Sequence, residues 1–129
     1  MKLLLDTHSL LWALTDDPRL GPAARALVAD PANDVLVSAA SLWEIVIKVR
    51  IGKLEADFAE IDRAIDAQGF ARLGIEPSHL AALQRLETLH RDPFDHLLIA
   101  QADVEEASLL TEDREILRYR IATVRCSAD

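Results

Sequence analysis

Cysteine is nearly absent from this 129-residue chain: Cys126 is the only one, so no intrachain disulfide can form. That points to a reducing, cytoplasmic setting. Aromatic residues make up only 5% of the chain, so a core must be built from Leu, Ile, Val and Ala. No apolar run approaches the roughly 20 residues a membrane helix needs. Met1-Lys-Leu-Leu-Leu5 is followed at once by Asp6, which also argues against a secretory leader. Basic charge is scarce too, with 14 Lys and Arg against 22 Asp and Glu and a net charge of −8. This excludes a protein held to nucleic acid by its overall charge. It leaves room for a cleft that gathers a metal ion, or for docking of a basic partner segment. There is no zinc-type Cys/His spacing, no Gly-rich phosphate loop and no trustworthy Ser-His-Asp pattern; His8, His79, His90 and His96 are scattered. Repeats, low-complexity tracts and linkers are missing as well, so one domain over residues 1–129 is expected.

What is present is an alternation of short apolar runs and helical patterns. Lys2-Leu3-Leu4-Leu5 reads as a strand buried on both faces. Asp6-Thr7-His8-Ser9 follows, and Leu10, Leu11, Ala13 and Leu14 read as a helix broken by Asp16-Asp17-Pro18. Gly21-Pro22 opens a second helix through about Asp30. Val35-Leu36-Val37 is a second strand ending at Ser38, from which a helix runs to about Ile51 with Gly52 after it. Further helices are expected over Leu54 to Gln68, Pro77 to Leu86, Pro93 to Glu106 and, briefly, Arg114 to Leu117. Further strands are expected over Phe70 to Ile75, Ser108 to Thr111 and Ile121 to Val124. This order predicts a three-layer α/β domain, with helices flanking a mostly parallel central sheet.

In such sheets ligands bind beyond the carboxyl ends of the strands. Four acids are placed there. Asp6 follows the first strand, Glu44 lies on the helix after the second, Asp113 follows the fourth strand by two residues, and Asp95 opens a helix. Bland readings stand beside these. Asp92-Pro93 has the form of an N-cap and first helical residue. Ser41 to Glu44 has capping-box spacing, although Ser38 is the better helix start, and Glu44 to Lys48 is a favourable i, i+4 pair. Four clustered carboxylates repel, and a divalent cation such as Mg²⁺ or Mn²⁺, which prefers hard oxygen ligands, relieves that repulsion.

Leu-Leu-Asp6-Thr-His-Ser-Leu-Leu-Trp12, Ser-Ala-Ala-Ser-Leu-Trp-Glu44-Ile, His-Arg-Asp92-Pro-Phe-Asp95-His-Leu-Leu-Ile-Ala-Gln-Ala and Leu-Leu-Thr111-Glu-Asp113, in this order, resemble PIN-domain proteins. Among these the chain looks most like the VapC-like toxin ribonucleases of bacterial type II toxin–antitoxin pairs. The resemblance implies a Mg²⁺- or Mn²⁺-dependent endoribonuclease acting on RNA, a homodimer, and a cognate antitoxin that neutralises it. It implies Asp6, Glu44 and Asp95 as metal-binding acids, with Asp113 as a more variable fourth. Where many relatives carry Arg after the third acid, this chain has His96.

Around these acids, Thr7, Ser41 and Thr111 read either as groups that orient carboxylates or touch phosphate, or as ordinary cap and turn residues. Asp92 reads as a cap or as a residue supporting the site. Lys48, Arg50, Lys53, Arg91 and Arg114 read as RNA phosphate contacts or as solvated surface cations. Trp12 and Trp43 read as base-stacking or as helix-face packing residues. Two other functions fit the same pattern: a non-catalytic interaction module of this fold, and a receiver-type Mg²⁺-binding signalling domain. The latter lacks its phosphoacceptor Asp on a central strand, since the third strand region ends in Ile75-Glu76-Pro77.

Overall fold

The computed structural model describes residues 1–127. Five strands form one parallel sheet: β1 (Lys2–Leu5), β2 (Asp34–Ser38), β3 (Ala71–Leu73), β4 (Ser108–Thr111) and β5 (Thr123–Arg125), in the order β3-β2-β1-β4-β5. Receiver domains follow the order 2-1-3-4-5 instead, so this topology is not theirs. Six α-helices pack around the sheet: α1 (Thr7–Leu14), α2 (Pro22–Ala29), α3 (Ala39–Arg50), α4 (Phe58–Ala67), α5 (Pro77–Arg85) and α6 (Pro93–Glu105).

The three inner strands β1, β2 and β4 are apolar at their centres because both faces are covered. Leu3 and Leu5 point into a core shared with Leu10, Ala24, Ile45 and Ile65, while Leu4 points into the opposite one with Leu97, Leu98 and Ile99. Leu110 and Leu109 divide in the same way. Side chains alternate across a strand, so a run of leucines feeds two helix layers at once. Complete burial of each contributes about 1.5–3 kcal/mol relative to exposure.

Where the pattern is polar, the boundaries differ from those expected. The helix expected from Leu54 begins only at Phe58, because Asp57 caps it by accepting the Ala59 N–H at 3.0 Å. The third strand shortens from Phe70–Ile75 to three residues. It is an edge strand, and its Arg72 reaches back to Asp62 and Asp66 on α4. The last strand lies at Thr123–Arg125 rather than Ile121–Val124, since Ile121 packs into the core around Leu98. The short helix expected at Arg114–Leu117 is a 3₁₀ turn over Ile116–Arg118. No helix among the described residues is long and apolar enough to cross a membrane.

Candidate active site

β1 lies between β2 and β4, so the chain leaves the sheet in different directions on either side of it. A crevice forms at such a point, outside the carboxyl ends of the strands. Asp6 is the first residue beyond β1 and the N-cap of α1. Its Oδ1 accepts from the Ser9 N–H at 2.8 Å and the Ser9 hydroxyl at 2.6 Å. Ser9 Oγ also lies 2.8 Å from the Leu110 carbonyl and 3.1 Å from Cys126 Sγ. Asp6 is buried, and burial raises its pKa against the opposing hydrogen bonds from Ser9 and Thr111.

Glu44 sits on the inner side of α3, only 4% exposed. Its two oxygens are divided between partners: Oε1 accepts from the Thr7 hydroxyl at 2.6 Å, and Oε2 pairs with Lys48 Nζ at 2.8 Å. The i, i+4 pair therefore forms, but the capping box does not. Ser38 caps α3 by accepting the Ala40 N–H at 3.0 Å, and its own hydroxyl donates to buried Gln101 at 2.5 Å. This leaves Ser41 Oγ, one turn before Glu44, as a buried side-chain oxygen with no hydrogen-bond partner. Such a group is one that solvent or a ligand completes.

Asp92 is the N-cap of α6, accepting from the Phe94 and Asp95 N–H groups at 2.9 and 3.2 Å. Pro93 takes the first helical position, where its missing N–H costs nothing. Asp95 is buried in the first turn, with Oδ2 3.2 Å from His90 Nε2. Asp113 follows β4, half-buried. Its backbone N–H donates to Thr111 Oγ1 at 3.0 Å, and its Oδ1 accepts the Glu115 N–H at 2.8 Å. A cleft of about 300 Å³ opens beside Asp6 and Asp113, lined also by His8, Trp12 and Glu112.

Asp95 shows that the acids share one electrostatic environment. Its carboxyl is pushed up to about 8, first by burial and then by the negative charge of Asp92, Asp113, Glu44 and Asp6. Among the described residues no three His, Cys, Asp or Glu side chains close into a ready-made metal cage. Both oxygens of Glu44, and one each of Asp6, Asp95 and Asp113, have partners within the chain. What remains is a set of hard carboxylate oxygens in mutual repulsion beside an unpaired buried hydroxyl. This fits a divalent cation that keeps part of its water shell and takes one or two carboxylates.

The other residues singled out in the sequence lie at the margins. Arg50, Lys53, Arg91 and Arg114 are exposed. Trp43 is 56% exposed and meets Phe94 edge-on at 4.9 Å between ring centroids. Trp12 stacks on His8 and carries Arg19 over its ring at 5.0 Å. The sequence reading missed Ser9, His90 and Tyr119. Only the backbone half of the Ser9 contact was legible, since an Asp at a helix start accepts the N–H two or three residues on. The His90–Tyr119 contact spans 29 residues and left no local signal.

The PIN-domain family model matches residues 3–122. The chain belongs to the PIN-domain family. This PIN domain is 38% identical over 71 residues to ribonuclease VapC16 of Mycobacterium tuberculosis; the match covers 50% of this chain and 50% of that protein. The fold resembles VapBC2 from Rickettsia felis bound to a DNA fragment from its promoter, with a TM-score of 0.74 and 18% identity over 97% of this chain and 98% of that one. It also resembles a toxin–antitoxin complex from Klebsiella pneumoniae, with a TM-score of 0.62 and 21% identity over 95% of each chain. At these identities the two structures show the PIN fold and no more.

Proposed function

We propose that this PIN domain is a divalent-metal-dependent endoribonuclease, the toxin of a toxin–antitoxin pair. The observation that carries the reading is the raised carboxyl of Asp95, buried within reach of the charges of Asp6, Glu44 and Asp113 from three other segments. The part-length similarity to a ribonuclease and the likeness to toxin–antitoxin complexes support the substrate class and the partner. Asp6 and Asp95 bind the ion, Mg²⁺ or Mn²⁺, and Glu44 and Asp113 complete the site directly or through water. When bound, such an ion polarises a phosphodiester and lowers the pKa of water.

The chain's own residues supply orientation and proton transfer. Ser9 and Thr7 hold the Asp6 and Glu44 carboxylates by bonds of 2.6 Å. Glu44 has both oxygens engaged, so half-buried Asp113 is the acid placed to take a proton from the attacking water. Exposed Arg91 and Arg114 contact RNA phosphates, Ser41 offers its free hydroxyl to substrate or water, and a homodimer belongs to the same reading.

The test is cleavage of a mixed RNA pool by purified protein in Mg²⁺, Mn²⁺ or EDTA, beside Asp6→Ala and Asp95→Ala. Metal-dependent cleavage lost in both variants is the expected result. Cleavage in EDTA, or undiminished activity in both variants, refutes it. The product of the adjacent reading frame should co-purify with the chain and restore growth.

A further inference from the structure

Behind Asp95 runs a hydrogen-bonded chain of a histidine, a tyrosine and a backbone amide. The Leu89 N–H donates to the Tyr119 phenol oxygen at 2.9 Å, and that oxygen lies 2.8 Å from His90 Nδ1. Having accepted the amide proton, the phenol is free to donate its own to Nδ1. With the phenol donating in this way, the imidazole proton sits on Nε2, which lies 3.2 Å from Asp95 Oδ2. The assembly is tightly held. Arg118 Nη1 grips the Leu89 carbonyl at 2.8 Å, and His96 Nε2 donates to the His90 carbonyl at 2.7 Å. The His90 ring meets His96 edge-on at 4.7 Å and Tyr119 at 5.4 Å. Only 10% of its side chain reaches solvent.

We propose that His90 is a positioning residue, which donates its Nε2–H to Asp95 Oδ2 and so presents Oδ1 of that carboxylate to the divalent cation. This rests on the metal-site reading above. Tyr119, from the loop before β5, fixes the tautomer, and His90 relays that choice to a carboxylate on α6. Supporting partners of this kind orient a metal-binding group, and their loss typically weakens metal affinity about 10–100-fold. Arg91 and Asp92, beside His90 in sequence, have no part in the chain. Asp92 spends its side chain on the helix cap.

The experiment is Mn²⁺ binding, read from the electron paramagnetic resonance signal of free Mn²⁺, for the wild type, His90→Ala, His90→Gln and Asp95→Ala. Thermal unfolding of each variant runs in parallel. His90→Ala should bind about 10-fold or more weakly. His90→Gln places an amide N–H near the Nε2 position and should recover most of that loss. Wild-type affinity in His90→Ala, or equal losses in the Ala and Gln variants, overturns the proposal. Absent binding by the wild type, or undiminished binding by Asp95→Ala, overturns the metal-site reading and the proposal with it. Should His90→Ala fail to fold, the ring ¹⁵N spectrum of the Mg²⁺-loaded wild type decides. An Nε2-protonated His90 supports the proposal, and an Nδ1-protonated one refutes it.

Discussion

Neutral pH should weaken this fold rather than favour it, and Asp95 is the residue through which that can be measured. Its carboxyl is raised to about 8 in the folded chain, while an unfolded Asp titrates near about 3.9. Between those values the folded chain holds one proton that the unfolded chain has released. The slope of unfolding free energy against pH is then negative, about −1.4 kcal/mol per pH unit. The stabilisation is fully present below about pH 4 and is lost as pH rises to about 8. From pH 5 to pH 7 the loss is about 3 kcal/mol, a large share of the roughly 5–15 kcal/mol that holds a domain together. Asp6, also raised by burial, steepens the decline.

The assay is urea denaturation in EDTA at half-unit pH steps, followed through Trp12 and Trp43, for the wild type and Asp95→Asn. The amide still accepts the His90 Nε2–H but carries no charge at any pH. It should flatten the decline and leave the variant more stable than the wild type at pH 7. Saturating Mn²⁺ should restore the wild type alone, since a ligand at about 100 times its Kd contributes about 2.7 kcal/mol. Parallel curves for the two proteins between pH 5 and pH 8 refute the reasoning.

Two substitutions test the scaffold around the acids. Thr7→Val keeps the volume but removes the donor 2.6 Å from Glu44 Oε1, leaving a buried carboxylate oxygen unpaired, and should cost about 1–3 kcal/mol in urea denaturation. Ser38→Ala removes both the α3 cap and the hydroxyl donated to buried Gln101, and should cost about 2–4 kcal/mol by the same measurement.

How much of this was legible in the sequence depended on burial. β1, β2 and β4 lie in the interior of the sheet, where leucines and valines on both faces write an unbroken apolar run. β3 and β5 are edge strands carrying Arg72 and Arg125 at the surface, so hydrophobicity blurred their limits. The same logic applies to the site. Asp6, Asp95 and Asp113 stand at or beside the ends of legible elements and Glu44 lies inside legible α3, so their positions along the fold followed from the element order. Their holders did not. Gln101 and Ser38 meet across 63 residues, and Tyr119 reaches His90 from the far side of β4. No local pattern encodes a contact made only when two distant elements dock. Asp92 carries a local signal, and its cap forms as Asp-Pro spacing suggests.

The position of β1 also bears on synthesis. β1 is the central strand and precedes the other four in the chain, yet the Asp6 N–H donates to the Leu110 carbonyl, and its holder Ser9 touches Leu110 and Cys126. A nascent chain ending just before β4 already contains Asp6, Glu44 and Asp95 but cannot set the first of them. Pairings across about 100 residues form slowly, because loop-closure entropy precedes the contacts that offset it. The acidic centre is therefore among the last features of the domain to assemble.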